Sequence, residues 1–211
     1  MAIQIIQLPL GPLQTNCYIV GCRTTGKAAV IDPGWDGRAI LNHVEKQGWT
    51  ISHILLTHTH FDHVGGLSEL KEISAAPTYA HADAVPMLEY APAAAAMWGF
   101  SVDAPPLPDI FVSEGDVIEI GELQATVLFT PGHAPGHVCF YLGDHQVLLD
   151  GDVLFQGSIG RTDLPGGDYD LLMTSIHGKL MILPDETVVL SGHGPATTIG
   201  AERNSNPFLL E

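Results

Sequence analysis

The sequence predicts an α/β fold of two sheets with helices covering both outer faces. Two observations carry this expectation. A run of short strands followed by helix occurs twice along the chain, without any internal sequence repeat. Charged residues make up only 15% of the chain and hydrophobic residues 45%, the balance of a well-buried globular domain.

In order, Ile3 to Leu8, Asn16 to Val20 and Lys27 to Asp32 read as three strands separated by Gly/Pro turns. Asp36 to Gln47 reads as a helix, with Ile40, Leu41 and Val44 at helical spacing. Ile51 to Leu56 is a buried strand, followed by a helix from about Gly65 to Ser74. Thr78 to His81 is a short strand and Asp83 to Tyr90 a short helix. Ala91 to Asp109, rich in Ala and Pro, reads as a long loop carrying Trp98 and Phe100. It is either a surface excursion packed by its own aromatics or a wall of a substrate pocket, with Trp98 the candidate contact. From Phe111 onward strands dominate: Val117 to Ile120, Leu123 to Phe129, His137 to Leu142 and Gln146 to Leu149. A helix at Asp168 to Met181 and a strand at Thr187 to Leu190 complete the series.

A length of 211 residues suits one domain over 1–211. Eight Lys and Arg oppose 24 Asp and Glu, a formal charge of −16 that repels phosphate backbones, so no nucleic-acid partner is expected. The start of the chain has no basic segment leading into an apolar one, and no apolar run reaches the roughly 18 residues of a membrane span. A cytoplasmic protein without membrane contact is expected. Cys17, Cys22 and Cys139 are odd in number and lack a Cys-x-x-Cys spacing, which fits reduced, buried thiols. Oligomeric state is not readable.

Chemistry concentrates in Thr57-His58-Thr59-His60-Phe61-Asp62-His63, three imidazoles and a carboxylate at the end of a buried strand. Mixed His/Asp donors suit zinc, iron or manganese. In extended backbone His58 and His60 face the same side and Asp62 continues that phase, so His63 must be turned by the loop. Three further candidates, His133, Asp152 and His193, each follow an apolar strand and sit among glycines and prolines. Asp32 and Asp150 are candidates to brace these loops as acceptors for ligand imidazoles. His137 is expected to hydrogen-bond within its loop, and His43, His53, His145 and His177 to play surface or structural roles.

HxHxDH followed by His133, Asp152 and His193 resembles the metallo-β-lactamase superfamily along essentially the whole chain. The resemblance implies an αββα four-layer sandwich with metals at one end of the sheets. It implies that His58, His60 and His133 hold one metal, that Asp62, His63 and His193 hold a second, and that Asp152 bridges both. An aspartate at the bridging position makes antibiotic hydrolysis a minor reading. Gly151 to Asp163, Gly192-His193-Gly194-Pro195-Ala196-Thr197-Thr198 and Asn206-Pro207-Phe208-Leu209 are similar to the short bacterial glyoxalase II-like group, the hydroxyacylglutathione hydrolases.

That resemblance implies hydrolysis of a small-molecule thioester, S-D-lactoylglutathione or a related acyl thioester, by a hydroxide shared between two divalent ions, Zn or Fe with Mn possible. Metal coordination brings a water pKa from about 15.7 to near 7. A thiolate, with a conjugate pKa near 8.5, leaves without a strong acid. Asp62 and Asp152 are the catalytic candidates, the former orienting the nucleophile. Arg161 lies where the long enzymes carry a basic glutathione contact, although an Arg161–Asp163 ion pair fixing the loop explains it as well. Only 211 − 193 = 18 residues follow His193, so the helical glutathione-binding domain of the long enzymes is not expected, and Pro195 stands where they carry a tyrosine. The alternative within enzymes is a mononuclear-iron persulfide dioxygenase. A non-catalytic metal-binding domain is disfavoured by seven intact ligand positions.

Overall fold

The computed structural model describes residues 3–210. The expected single domain runs over 1–211, so residues 1, 2 and 211 of that expectation lie outside the described residues. A first sheet holds β1 (Ile3–Leu10), β2 (Thr15–Cys22), β3 (Lys27–Ile31), β4 (Thr50–Leu55), β5 (Thr78–His81) and β6 (Ile110–Val112) in that order. β1 to β3 are antiparallel and β3 to β6 parallel. β7 (Val117–Ile120), β8 (Leu123–Phe129), β9 (Val138–Leu142) and β10 (Val147–Gly151) form the second sheet with two later strands. These are β13 (Val188–Ser191) and β14 (Thr197–Thr198), and the order is β14-β13-β10-β9-β8-β7. A separate hairpin pairs β11 (Leu154–Phe155) with β12 (Ser158–Ile159).

Alternation along the strands builds the layers. Cys17 and Ile19 on β2 point to one side of the first sheet and meet α1 (Gly37–Lys46), α3 (Leu67–Ser74) and α4 (Val85–Met97) through Ile40, Val44, Leu70 and Leu88. Tyr18 and Val20 point the other way and meet Ile120, Val127 and Phe140 between the two sheets. Leu148 and Val189 on the far face of the second sheet pack on Leu172 of α5 (Tyr169–Ser175), Leu180 of the π turn that continues it, and Ile199 of α6 (Ile199–Ser205). The result is the expected αββα sandwich of four layers and three apolar seams. Asp36, Asp168 and Thr198 cap their helices with side-chain oxygens, each accepting from the amide three residues on.

Several elements differ from the expectation. Helix α4 continues through Ala91–Met97 instead of stopping at Tyr90, because an alanine-rich run favours helix and offsets the bond lost at Pro92. Only the later part of the expected loop is irregular, and it leads into β6, whose Ile110 and Phe111 are exposed at the sheet edge. Asp62 is not in extended phase with His60. It lies with His63 in a one-turn helix, α2 (Phe61–Val64), so both side chains turn toward the same place. The hairpin, β14 and α6 were not expected. All three cysteines are buried and free.

Candidate metal centre

The strand ends place the seven donors in one cluster. His58 and His60 follow β4, Asp62 and His63 sit on α2, and His133 follows β8. Asp152 directly follows β10, and His193 follows β13. Ligand atoms of His58, His60 and His133 lie within 4.8 Å of one another, and so do those of Asp62, His63 and His193. Asp152 lies between the two sets: Oδ1 is 3.5 Å from His63 Nε2, and Oδ2 is 3.7 Å from both His133 Nε2 and His193 Nε2. Asp62 Oδ2 approaches His193 Nε2 to 3.1 Å.

Close backbone approach makes this packing possible. A Cβ on Gly192 would fall 2.3 Å from Asp152 Oδ1 and 2.6 Å from His63 Cε1. Gly151 adopts φ +55°, and a Cβ there would strike Thr57 Oγ1 and His137 Nε2.

Several donors are aimed by a partner outside the cluster. Asp32, itself buried, accepts from Thr57 N at 2.8 Å, from Thr57 Oγ1 and from His63 Nδ1 at 3.0 Å. That leaves His63 Nε2 facing the cluster and identifies Asp32 as an orienting acceptor, although it groups geometrically with His58 and His63. His133 Nδ1 donates to the Arg161 carbonyl at 2.8 Å, turning Nε2 inward. Thr15 Oγ1 donates to Asp62 Oδ2 at 2.8 Å. His137 is buried beneath the site, where Nε2 accepts from Asp152 N and Nδ1 meets Thr130 Oγ1. Asp150 accepts from Leu154 N, holding the turn that carries Asp152. Thr15 and the Arg161 carbonyl gave no signal in the sequence: one partner is 47 residues away, and the other is a backbone atom.

Three buried atoms in the cluster, His58 Nε2, His63 Nε2 and Asp152 Oδ1, have no hydrogen-bond partner. Each such atom costs about 1–3 kcal/mol if left unpaired, so one in each donor set and one on the carboxylate between them fit bound cations. The electrostatics agree. Burial, then repulsion from neighbouring imidazoles, pushes His58 well below its ordinary pKa and His60 down to about 3, keeping their lone pairs free. Burial would raise Asp62, but His63 and the bonds from His193 and Thr15 outweigh it and hold the carboxyl at about 2. Asp152 is driven below the usual carboxylate range against its burial, chiefly by His63. Against their burial, the same carboxylates raise His63 and His193 above the ordinary imidazole value, so the site gathers positive charge that a bound ion would replace.

Arg161 is half exposed and grips Asp163 through Nε at 2.7 Å and Nη2 at 2.8 Å. It also borders a cavity above the donors, as does Trp98 at the end of α4. His53 pairs with Ser52 and packs on Tyr79, while His81 stacks on Phe129, both apart from the donor cluster.

Fold and site together define an αββα protein with His/Asp metal-binding clusters at its strand ends. The chain belongs to the metallo-β-lactamase superfamily, whose model matches residues 10–193. It is 42% identical to the probable metallo-hydrolase YqgX of Bacillus subtilis over 96% of either chain. It is 40% identical to the hydroxyacylglutathione hydrolase GloC of Haemophilus influenzae, over 99% of this chain and 98% of that one. Among solved structures, BLEG-1, named a B3 metallo-β-lactamase, superposes with a TM-score of 0.92 at 42% identity, covering 99% of this chain and all of that one. TTHA1623 in a di-iron-bound form gives 0.88 at 42%, covering 97% and 100%. ETHE1 from Myxococcus xanthus gives 0.80 at 30%, covering 97% and 83%. No helix among the described residues is long and apolar enough to cross a membrane.

Proposed function

We propose that this protein is a metal-dependent hydrolase of a thioester, S-D-lactoylglutathione or a related acyl thioester. The observation that carries the reading is Asp152 standing between two His/Asp donor sets, 3.5–3.7 Å from a histidine of each. His58, His60 and His133 would hold one ion and Asp62, His63 and His193 the other, with Asp152 shared. The likeness to a di-iron-bound structure supports two ions, and the mixed donor set accepts zinc, iron or manganese. A bound divalent pair supplies Lewis acidity, which ionises water near neutral pH and polarises the thioester carbonyl.

The chain's own residues do the rest. Asp62, fixed by Thr15, presents an ionised carboxylate that would orient the attacking water. Asp152 holds the two donor sets in fixed relation. No acidic group is required at the leaving atom, since a thiolate departs unprotonated at neutral pH. The likeness to GloC supports thioester hydrolysis.

Two other activities have specific support. The likeness to ETHE1 fits a persulfide dioxygenase using one iron. The likeness to BLEG-1 fits a β-lactamase, against the expectation drawn from Asp152. Steady-state assays on metal-loaded protein with S-D-lactoylglutathione, glutathione persulfide and a β-lactam separate the three. Thioester turnover well above the other two supports the proposal. Oxygen consumption on persulfide, or β-lactam cleavage without thioester cleavage, replaces it.

A further inference from the structure

We propose that the thioester taken at this centre carries an apolar, uncharged chain, which lies in a hydrophobic channel between α4 and the β11–β12 hairpin. The inference rests on the thioesterase reading and narrows its substrate class.

The cavity above the donor atoms holds about 600 Å³ and has His60, Asp62, His133, Asp152 and His193 at its base. That volume suits a substrate of small-molecule size. One wall is a single face of α4, where Met87, Tyr90, Ala94, Met97 and Trp98 recur three or four positions apart. Phe155 and Ile159 of the hairpin form the other wall.

Helix α4 is apolar on two sides. Leu88, Ala91 and Ala95 are buried against the first sheet. Tyr90, Met97 and Trp98, at 48%, 77% and 55% exposure, are left uncovered. An amphipathic helix normally turns charge to solvent on that side, yet Glu89 is the only charged residue in Val85–Met97. The uncovered side chains line the route to the metal donors, so a substrate chain is the apolar partner that would cover them.

Charge points the same way. Of eight Lys and Arg in the chain, only Arg161 borders the cavity, and two of its donors are already engaged by Asp163. Glutathione brings two carboxylates and one ammonium into a protein of net charge −16. Carboxylates that leave water without a partner oppose binding. A buried methylene, by contrast, strengthens transition-state binding about fourfold.

The test compares kcat/KM for acetyl, butanoyl and hexanoyl thioesters of N-acetylcysteamine, a neutral thiol, with that for S-D-lactoylglutathione. The expected result is a rise of up to about fourfold per added methylene, expressed mainly in KM, with the hexanoyl ester ahead of lactoylglutathione. Trp98→Ala, which removes an exposed wall residue with little risk to folding, is expected to flatten the series at least threefold. A flat or falling series with lactoylglutathione preferred overturns the inference and leaves the thioesterase reading intact. If no thioester turns over, that reading falls, and calorimetry with the unreactive thioether S-hexyl-N-acetylcysteamine decides the channel alone. Binding tighter than that of S-methylglutathione supports it, and equal or weaker binding overturns it.

Discussion

His133 Nδ1 donates to the backbone carbonyl of Arg161 over 2.8 Å, so the loop carrying the cavity's only Lys or Arg also orients a donor histidine. The side chain of Arg161 meanwhile faces Asp163. The carbonyl of Arg161 serves the site and its side chain pairs within the loop, and the two roles separate by mutation.

Arg161→Ala keeps the carbonyl and removes the ion pair. Metal content should stay at the wild-type level. The hydrogen bond from Arg161 holds Asp163 at about 2. Its partner favours the ionised form, so the pairing is complete above the ordinary value of 3.8 and is lost as pH falls through about 2. NMR titration should show Asp163 near 2 in the wild type and close to 3.8 in the variant. Identical titrations would mean that the pair does not persist in solution.

Thr15→Val removes the hydroxyl that fixes Asp62 Oδ2 and keeps the side chain's shape. Loss of an outer partner typically costs 10–100-fold in metal affinity. The loss should fall on one of two ions, the one held by Asp62, His63 and His193. Chelator competition checks this, and unchanged affinity at both sites would remove Thr15 from the centre.

Legibility followed how local each feature is. HxHxDH was readable because four donors sit within six residues. His133, Asp152 and His193 were readable because apolar strands end just before them in glycine-rich turns, which the fold then brings to one end. The central strands and α1 were readable from their apolar periodicity. The one-turn helix at Asp62 was not, because four residues carry no periodic signal. Edge strand β6 escaped because Ile110 and Phe111 are exposed, so no buried pattern marks them. The extent of α4 was not legible because Ala91 to Met97 mixes five helix-favouring alanines with Pro92 and carries no apolar–polar alternation. Thr15, the Arg161 carbonyl and the role of α6 depend on contacts across the fold, which no local pattern announces.

Asp32 is buried at φ +50° and satisfies two donors of Thr57 and one of His63. Asp32→Ala orphans all three and places a Cβ-bearing residue without a polar side chain in a left-handed conformation. A loss of about 3–5 kcal/mol is expected. Urea unfolding with a chelator present, which removes any stabilisation by bound metal, measures it. A change below about 1 kcal/mol would contradict the bracing role.

Glu202 on α6 is buried and accepts from Thr197 Oγ1, from Gly157 N at 2.8 Å and from Asn206 Nδ2 at 2.8 Å. Asn206 in turn donates to the Ser158 carbonyl. The last helix thus pins the hairpin that walls the cavity. Glu202→Ala should destabilise by about 2–4 kcal/mol and speed amide exchange at Gly157. Exchange at Gly157 unchanged from wild type would show that the hairpin holds without α6.

The most direct test pairs metal analysis with turnover in the wild type and Asp152→Ala. Asp152 lies within 3.7 Å of histidines from both donor sets, and one of its oxygens is buried without a partner. Two ions per chain in the wild type should fall to one or none in the variant, with thioester turnover reduced at least a thousandfold, about 4 kcal/mol of transition-state stabilisation. A variant that keeps both ions and full turnover would contradict the shared-carboxylate centre on which the account stands.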